Sequence, residues 1–205
     1  MIKFIANSNI IVSGATSSGK TSAILRILKE GLIEPFPERI YYLYGAPQEF
    51  MKTWNRDQSN PHIEFIDGLK LECIDEFKGS KALVIDDLSL TQNAELTNHF
   101  LRGSHHKQCT TFYITHSIFM NNDNYRILSY NAHYIMLFKN RRNQAQVSRL
   151  ANQVFAGDES KRITEAYKYS CLQPFGFILL SFHPKIPNEY TVISDFFSEC
   201  PKVFL

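Results

Sequence analysis

Long apolar runs are missing from this sequence: no stretch reaches the roughly 18 residues that a membrane-spanning helix requires. No membrane span is therefore expected. Cysteine is sparse. Cys73, Cys109, Cys171 and Cys200 are scattered without a CxxC pair, the pattern of unpaired thiols in a reducing compartment. Charge of one sign is missing too. Twenty-two Lys+Arg against 20 Asp+Glu leave a net charge of +2, so overall basicity makes no case for nucleic acid, although a local basic surface can. Repeats and low-complexity segments are absent, and only the polar stretch Asn55–His62 has the composition of a linker. The opening MIKFIANSNIIVSG is too short and too polar for a signal peptide, so secretion is not expected. What remains is 205 residues, 44% hydrophobic and 20% charged, which suits one globular domain over residues 1–205.

Strand and helix patterns alternate along the chain. Apolar runs predict strands at Asn9–Ser13, Arg39–Tyr44, Ile63–Ile66, Lys81–Asp87, Cys109–Thr115, His133–Phe138, Gly176–Phe182 and Tyr190–Ile193. Helical spacing predicts Lys20–Glu30, Gln48–Trp54, Leu69–Phe77, Thr91–Leu101 with Thr91 as N-cap, Asn124–Asn131, Arg142–Phe155 and Glu159–Leu172. Such alternation implies an α/β fold with a mostly parallel central sheet flanked by helices. The short Pro-rich turn HPKIPN between the last two strands predicts an antiparallel C-terminal edge hairpin.

The segment Gly14-Ala15-Thr16-Ser17-Ser18-Gly19-Lys20-Thr21 fits G-x-x-x-x-G-K-[ST] at every fixed position. A strand precedes it and a helix follows, the context that separates a phosphate loop (Walker A) from a chance Gly/Ser-rich turn. Small residues let backbone N–H groups curl around a phosphate chain, and the helix N-terminus beyond, with Ser22, adds its dipole. Lys20 supplies a point charge for the β/γ oxygens, and the Thr21 hydroxyl is placed to ligate Mg²⁺.

ALVIDDLS, residues 82–89, puts Asp86 at the C-terminal tip of a buried strand, where ligands bind in open α/β sheets. Asp86 suits the water shell of Mg²⁺ as a Walker B carboxylate. Asp87 can turn toward the γ-phosphate and polarise water; capping a turn is its other use. TTFYITHS ends a further strand in polar residues. His116 stands there in the place of a γ-phosphate sensor, or is a solvent-facing loop histidine. His105 and His106 are adjacent, with Cys109 nearby, but they lack the spacing of a metal site.

Taken together, GATSSGKT, LVIDDLS, FLRGSHHKQCTTFYITHSIF, NAHYIMLFKNRRNQAQVSRLANQVF and the tail PFGFILLSFHPKIPNEYTVISDFF resemble the genome-packaging ATPases of the FtsK/HerA superfamily. The likeness is greatest to those of Polinton (Maverick) elements, adintoviruses and virophages, and more distant to poxvirus-type enzymes. It runs from about residue 9 to residue 197. It implies a P-loop NTPase of the ASCE/RecA-like kind that binds ATP and Mg²⁺ and works as a homo-oligomeric ring, hexamer or pentamer. A trans-acting arginine is implied as well, for which Arg142 and then Arg102 are the candidates, with Lys107 and Arg141 behind them. Double-stranded DNA and capsid or portal-vertex proteins are the implied partners, and the virion and the host cytoplasm or nucleus the implied location. Two departures stand out: His116 replaces the family's usual Gln, and Arg141 replaces a proline.

A DNA motor needs sequence-independent phosphate contacts, for which Lys52, Arg56, Lys139, Lys161 and Arg162 are candidates, and Asn55–His62 is a candidate pore or interface loop. Two other functions stay open. A nucleotide kinase shares the phosphate loop but needs an acceptor pocket and an arginine-rich lid. A nucleotide-gated DNA- or capsid-binding module would hydrolyse little, consistent with Asp87 in place of a longer glutamate and with His116.

Overall fold

The computed structural model describes residues 2–86, 88, 96–101, 107–117, 123–140 and 144–205. In chain order the strands are β1 (Phe4–Ile5), β2 (Asn9–Ser13), β3 (Ile33–Glu34), β4 (Arg39–Tyr44), β5 (Glu64–Asp67), β6 (Lys81–Asp86), β7 (Cys109–Thr115), β8 (Tyr134–Phe138), β9 (Phe177–Ser181), β10 (Val192–Ser194) and β11 (Lys202–Val203). The helices are α1 (Lys20–Lys29), α2 (Glu72–Asp75), α3 (96–101), α4 (Asp123–Tyr130), α5 (Gln144–Val154) and α6 (Lys161–Ser170).

Nine strands form one sheet in the order β11-β10-β9-β8-β2-β7-β6-β4-β5. From β8 to β5 every neighbouring pair is parallel. β9 runs antiparallel to β8, and β10 antiparallel to β9. The expected edge hairpin is present, with β11 added outside it. The central strands are buried at every position, as a parallel sheet covered on both faces requires. Period-2 alternation sorts their side chains into two cores. Ile10, Val12, Val84, Phe112 and Met136 face the α1 side with Ile24 and Ile27. Ile11, Leu83, Ile85, Tyr113 and Ile135 face the side covered by Phe100, Leu128, Leu150 and Ile163.

Several elements are shorter than their patterns predicted. Gln48–Trp54 is two 3₁₀ turns, Glu49–Lys52 and Trp54–Arg56, and Leu69–Phe77 yields only α2. The helix predicted at Glu159–Leu172 opens with a 3₁₀ turn at Gly157–Ser160, and Tyr190 lies in another before β10. Thr91 and the start of its helix lie outside the described residues. Asn55–His62 is folded on itself. Trp54 Nε1 donates to the Pro61 carbonyl at 2.9 Å, Asn55 Nδ2 to that of Ile63 at 2.8 Å, and Asn60 Nδ2 to that of Trp54 at 3.1 Å.

His99 on α3 is 3% exposed and lies 3.1 Å from the Thr111 hydroxyl. Burial, helped by the charge of Lys107 and opposed by that of Asp75, pushes its pKa down to about 4. The unfolded imidazole titrates near 6.5. Its neutral form thus contributes stability that is complete above about pH 6.5 and is lost as pH falls through about 4. Denaturant unfolding at pH 7 and pH 5 should show stability falling by up to about 1.4 kcal/mol per pH unit from this residue, and His99→Gln should flatten that slope.

Candidate active site

The phosphate loop leaves β2 at Ser13 and enters α1 at Lys20. Its path depends on missing side chains. A Cβ on Gly14 would lie 2.5 Å from Phe138 Cβ and 2.8 Å from Ser18 Oγ, so only glycine fits beneath β8. Ser17 and Gly19 take positive φ values of 59° and 98°. For Ser17 this is the uncommon left-handed region, which curls the loop; Gly19 adopts it freely as N-cap of α1. The Gly14 amide donates to the Thr115 carbonyl at 3.2 Å, tying the loop to the end of β7.

Lys20 is 7% exposed, and its ammonium donates to the Gly14 and Ala15 carbonyls, each at 2.8 Å. The charge is thereby fixed inside the loop, where an anion would meet it. Thr16, Ser17 and Ser22 are exposed, and Ala15, Gly19 and Thr21 are half-buried. A cleft of about 480 Å³ runs along residues 16–22 and is closed by Gln48, Asp86, Thr115, His116 and Phe175. A second recess of about 810 Å³ shares Thr16–Ser18, His116 and Phe175 and extends to Lys139 and Pro174.

Asp86 is 5% exposed at the tip of β6. Tyr42 of the neighbouring β4 donates its hydroxyl to Asp86 Oδ2 at 2.5 Å, and Gln48 Nε2 donates to the same oxygen at 2.7 Å. Thr21, in the first turn of α1, lies on the other side of the Tyr42 hydroxyl. Burial, with the charge of Asp86 next, raises the Tyr42 pKa well above its ordinary value, so the phenol stays a donor. Thr21 and Asp86, the two positions expected to hold a metal, line the same cleft. Their donors are all oxygen, the set a small hard cation takes, and the arrangement fits Mg²⁺. Among the described residues no group of three His, Cys, Asp or Glu forms a separate metal site.

β7 lies between β2 and β6, so His116, just past its end, sits between the phosphate loop and Asp86 and lines both parts of the cleft. The turn beyond is fixed by Ser117, whose amide donates to Thr115 Oγ1 at 3.3 Å and whose hydroxyl donates to Gln146 Oε1 at 3.0 Å. On the other side, the Asn140 amide donates to the Tyr167 hydroxyl at 2.7 Å, and burial pushes that phenol up to about 12.

Other candidates fall elsewhere. Asp87, Arg102, His105, His106, Arg141 and Arg142 lie outside the described residues. Lys107 stands before β7 and His116 after it, so a seven-residue strand separates Lys107 from its own cleft. It pairs with Asp75 at 2.6 Å. Lys139 belongs to the rim of the cleft, with its ammonium on the Cys171 carbonyl. Arg162 donates to the Phe204 carbonyl at 3.1 and 2.9 Å and covers the Phe155 ring. Lys52 and Lys161 pair with Glu49 and Asp158 within a turn. Arg56 ends the second 3₁₀ turn, Trp54–Arg56, and is exposed. Sequence reasoning missed Tyr42, Gln48 and Phe175. The sequence shows Tyr42 only as part of the strand Arg39–Tyr44; its position two residues before Tyr44, which pairs with Asp86, lets its hydroxyl reach the carboxylate diagonally.

A phosphate loop after β2, an acidic tip on β6 and one strand between them, in a sheet of this order, define the fold of a P-loop NTPase. No known protein family and no curated protein matches the sequence. Solved structures do match in fold. The genome packaging NTPase B204 of Sulfolobus turreted icosahedral virus 2, in complex with ATPγS, superposes with a TM-score of 0.57 at 12% identity, over 97% of this chain and 97% of that one. The same protein in complex with AMPPCP gives 0.57 at 13% identity, with 97% of each chain covered. B204, the DNA-packaging ATPase of Sulfolobus turreted icosahedral virus, gives 0.58 at 12% identity, with 98% of each chain covered.

Two substitutions test this geometry. Gly14→Ala should lower stability by about 1–3 kcal/mol in a thermal melt, because Phe138 and Ser18 must give way. Tyr42→Phe should weaken Mg²⁺-dependent nucleotide binding by about tenfold in calorimetry and leave metal-free binding unchanged, because Asp86 loses one of the two donors that orient it.

Proposed function

We propose that this protein is an ATP-driven double-stranded DNA translocase that packages a viral or virus-like genome into a capsid. The observation that carries the reading is the fold correspondence with B204 over 97% of both chains, with the phosphate loop, Asp86 and His116 gathered on one cleft. The resemblance of the sequence to packaging ATPases of Polinton elements, adintoviruses and virophages points the same way, as does the extension of that resemblance through the C-terminal strands.

In this reading Gly14–Ser22 hold the phosphates of ATP and Lys20 balances their charge. Thr21 and Asp86 hold Mg²⁺, which when bound supplies positive charge at the phosphate oxygens. Asp87 orients and deprotonates the attacking water. His116 donates to the γ-phosphate, a task for which an imidazole N–H replaces the usual amide. Arg142 or Arg102 of a neighbouring subunit meets the charge that develops in the transition state. The assembly is a homo-oligomeric ring, hexamer or pentamer, around double-stranded DNA, docked on capsid or portal-vertex proteins. It belongs with the virion and in the host cytoplasm or nucleus.

The test is steady-state ATP hydrolysis with and without long double-stranded DNA. Turnover should rise with DNA, and Lys20→Ala should reduce it by roughly a hundredfold or more. Nucleotide binding without turnover in either condition would instead mark a nucleotide-gated DNA- or capsid-binding module. Turnover that requires a nucleoside or nucleotide acceptor would mark a kinase.

A further inference from the structure

Gln173-Pro174-Phe175-Gly176 form a tight turn, with the Gly176 amide donating to the Gln173 carbonyl at 3.3 Å. Phe175, its third residue, has φ of 58°. Proline second and a positive φ third are the marks of a type II turn, whose third position ordinarily belongs to glycine. A bulky aromatic there is strained, and such strain persists only where the surroundings over-determine it. They do here. The Gln173 amide donates to the Ser170 carbonyl, the Lys139 amide donates to the Gly176 carbonyl, and the Lys139 ammonium rests on the Cys171 carbonyl. Gly176 is pressed so close that a Cβ would lie 1.9 Å from the Ser170 oxygen. Despite this clamp, Phe175 buries little and remains 66% exposed. Its strain is not repaid by the core.

The position of the ring supplies the reason. Phe175 packs on Gly19 at the start of α1, where a Cβ would lie 3.0 Å from the Cβ of Phe175, and it lines both parts of the cleft. In the sheet, β7 and β6 lie on one side of β2, and β8 and β9 on the other. His116 and Asp86 come from the first side, so the reacting end of a nucleotide held in the loop faces them. The base must then leave toward the second side, where the turn before β9 presents an open aromatic face beside the loop.

We propose that Phe175 is the base platform of the nucleotide site, stacking on the purine ring of the bound nucleotide. The inference rests on the phosphate-loop reading given above. A bare π-face recognises stacking area more than hydrogen-bond pattern, so ATP and GTP bind comparably and CTP more weakly.

The test is calorimetric binding of ATP and of inorganic tripolyphosphate, which has the phosphates but no base. Phe175→Gly deletes the ring while giving the turn the residue it favours, so its melting temperature should be unchanged or higher. It should bind ATP between about five- and a hundredfold more weakly and bind tripolyphosphate as the wild type does. Phe175→Trp should keep ATP affinity, and ATP should quench its emission relative to the parent protein's response. An Phe175→Gly variant that binds ATP normally, loses tripolyphosphate equally, or melts earlier would overturn the proposal. A wild type that binds neither ligand, or binds ATP no better than Lys20→Ala does, would overturn the phosphate-loop reading itself.

Discussion

A carboxylate at the tip of a strand buried on both faces must find donors there, because an unpaired buried charge costs several kcal/mol. Asp86 finds two, the Tyr42 hydroxyl and the Gln48 amide, both on one oxygen. That pairing constrains much of the rest. Tyr42 must come from the adjacent strand, which fixes β4 beside β6. Gln48 must follow β4 closely, so the chain turns into short 3₁₀ segments just after the strand. Across the cleft the acidic tip faces Thr21 in the first turn of α1.

The second constraint is closeness of backbone. Gly14 passes under Phe138 with no room for a methyl group, and its amide reaches the Thr115 carbonyl. The loop is therefore held by β8 on one side and β7 on the other, while the open curl of Ala15–Ser18 faces the cleft. The Ser18 amide closes the curl on the Ala15 carbonyl, and the Lys20 ammonium holds it from inside, so the loop is preorganised before any ligand arrives. The strand order does the remaining positioning: with β7 between β2 and β6, the residue after β7 has no place to lie except between the loop and the carboxylate.

Much of this was legible in residues. The phosphate motif, the apolar run into Asp86 and the β-branched strand ahead of His116 each carry a local signal, and their elements lie where the patterns put them. The two-residue strands β1, β3 and β11 were not legible, because two residues show no alternation. The helix at Leu69–Phe77 shrank to α2, with Leu71 and Ile74 buried and Leu69 packed against the same core from before it. The roles of Tyr42 and Phe175 were invisible for a different reason. A buried tyrosine in a run of aromatics looks like core, and PFG looks like a turn. Only the hydrogen bond to Asp86 and the sign of one φ angle set them apart.

The end of β7 connects the phosphate loop to a more distant helix. Thr115 accepts from the phosphate loop through its carbonyl, and its hydroxyl donates to the Ser117 carbonyl at 3.0 Å. Ser117 in turn donates to Gln146 in the first turn of α5. Arg142, a candidate finger for the neighbouring site, lies four residues before Gln146. One short chain of bonds therefore runs from the phosphate loop, past His116, to the first turn of α5. The buried α5 face of Val147, Leu150 and Ala151 in turn joins the same core as Ile11, Tyr113 and Ile135, so α5 is seated against the strands that carry the loop and the β7 tip.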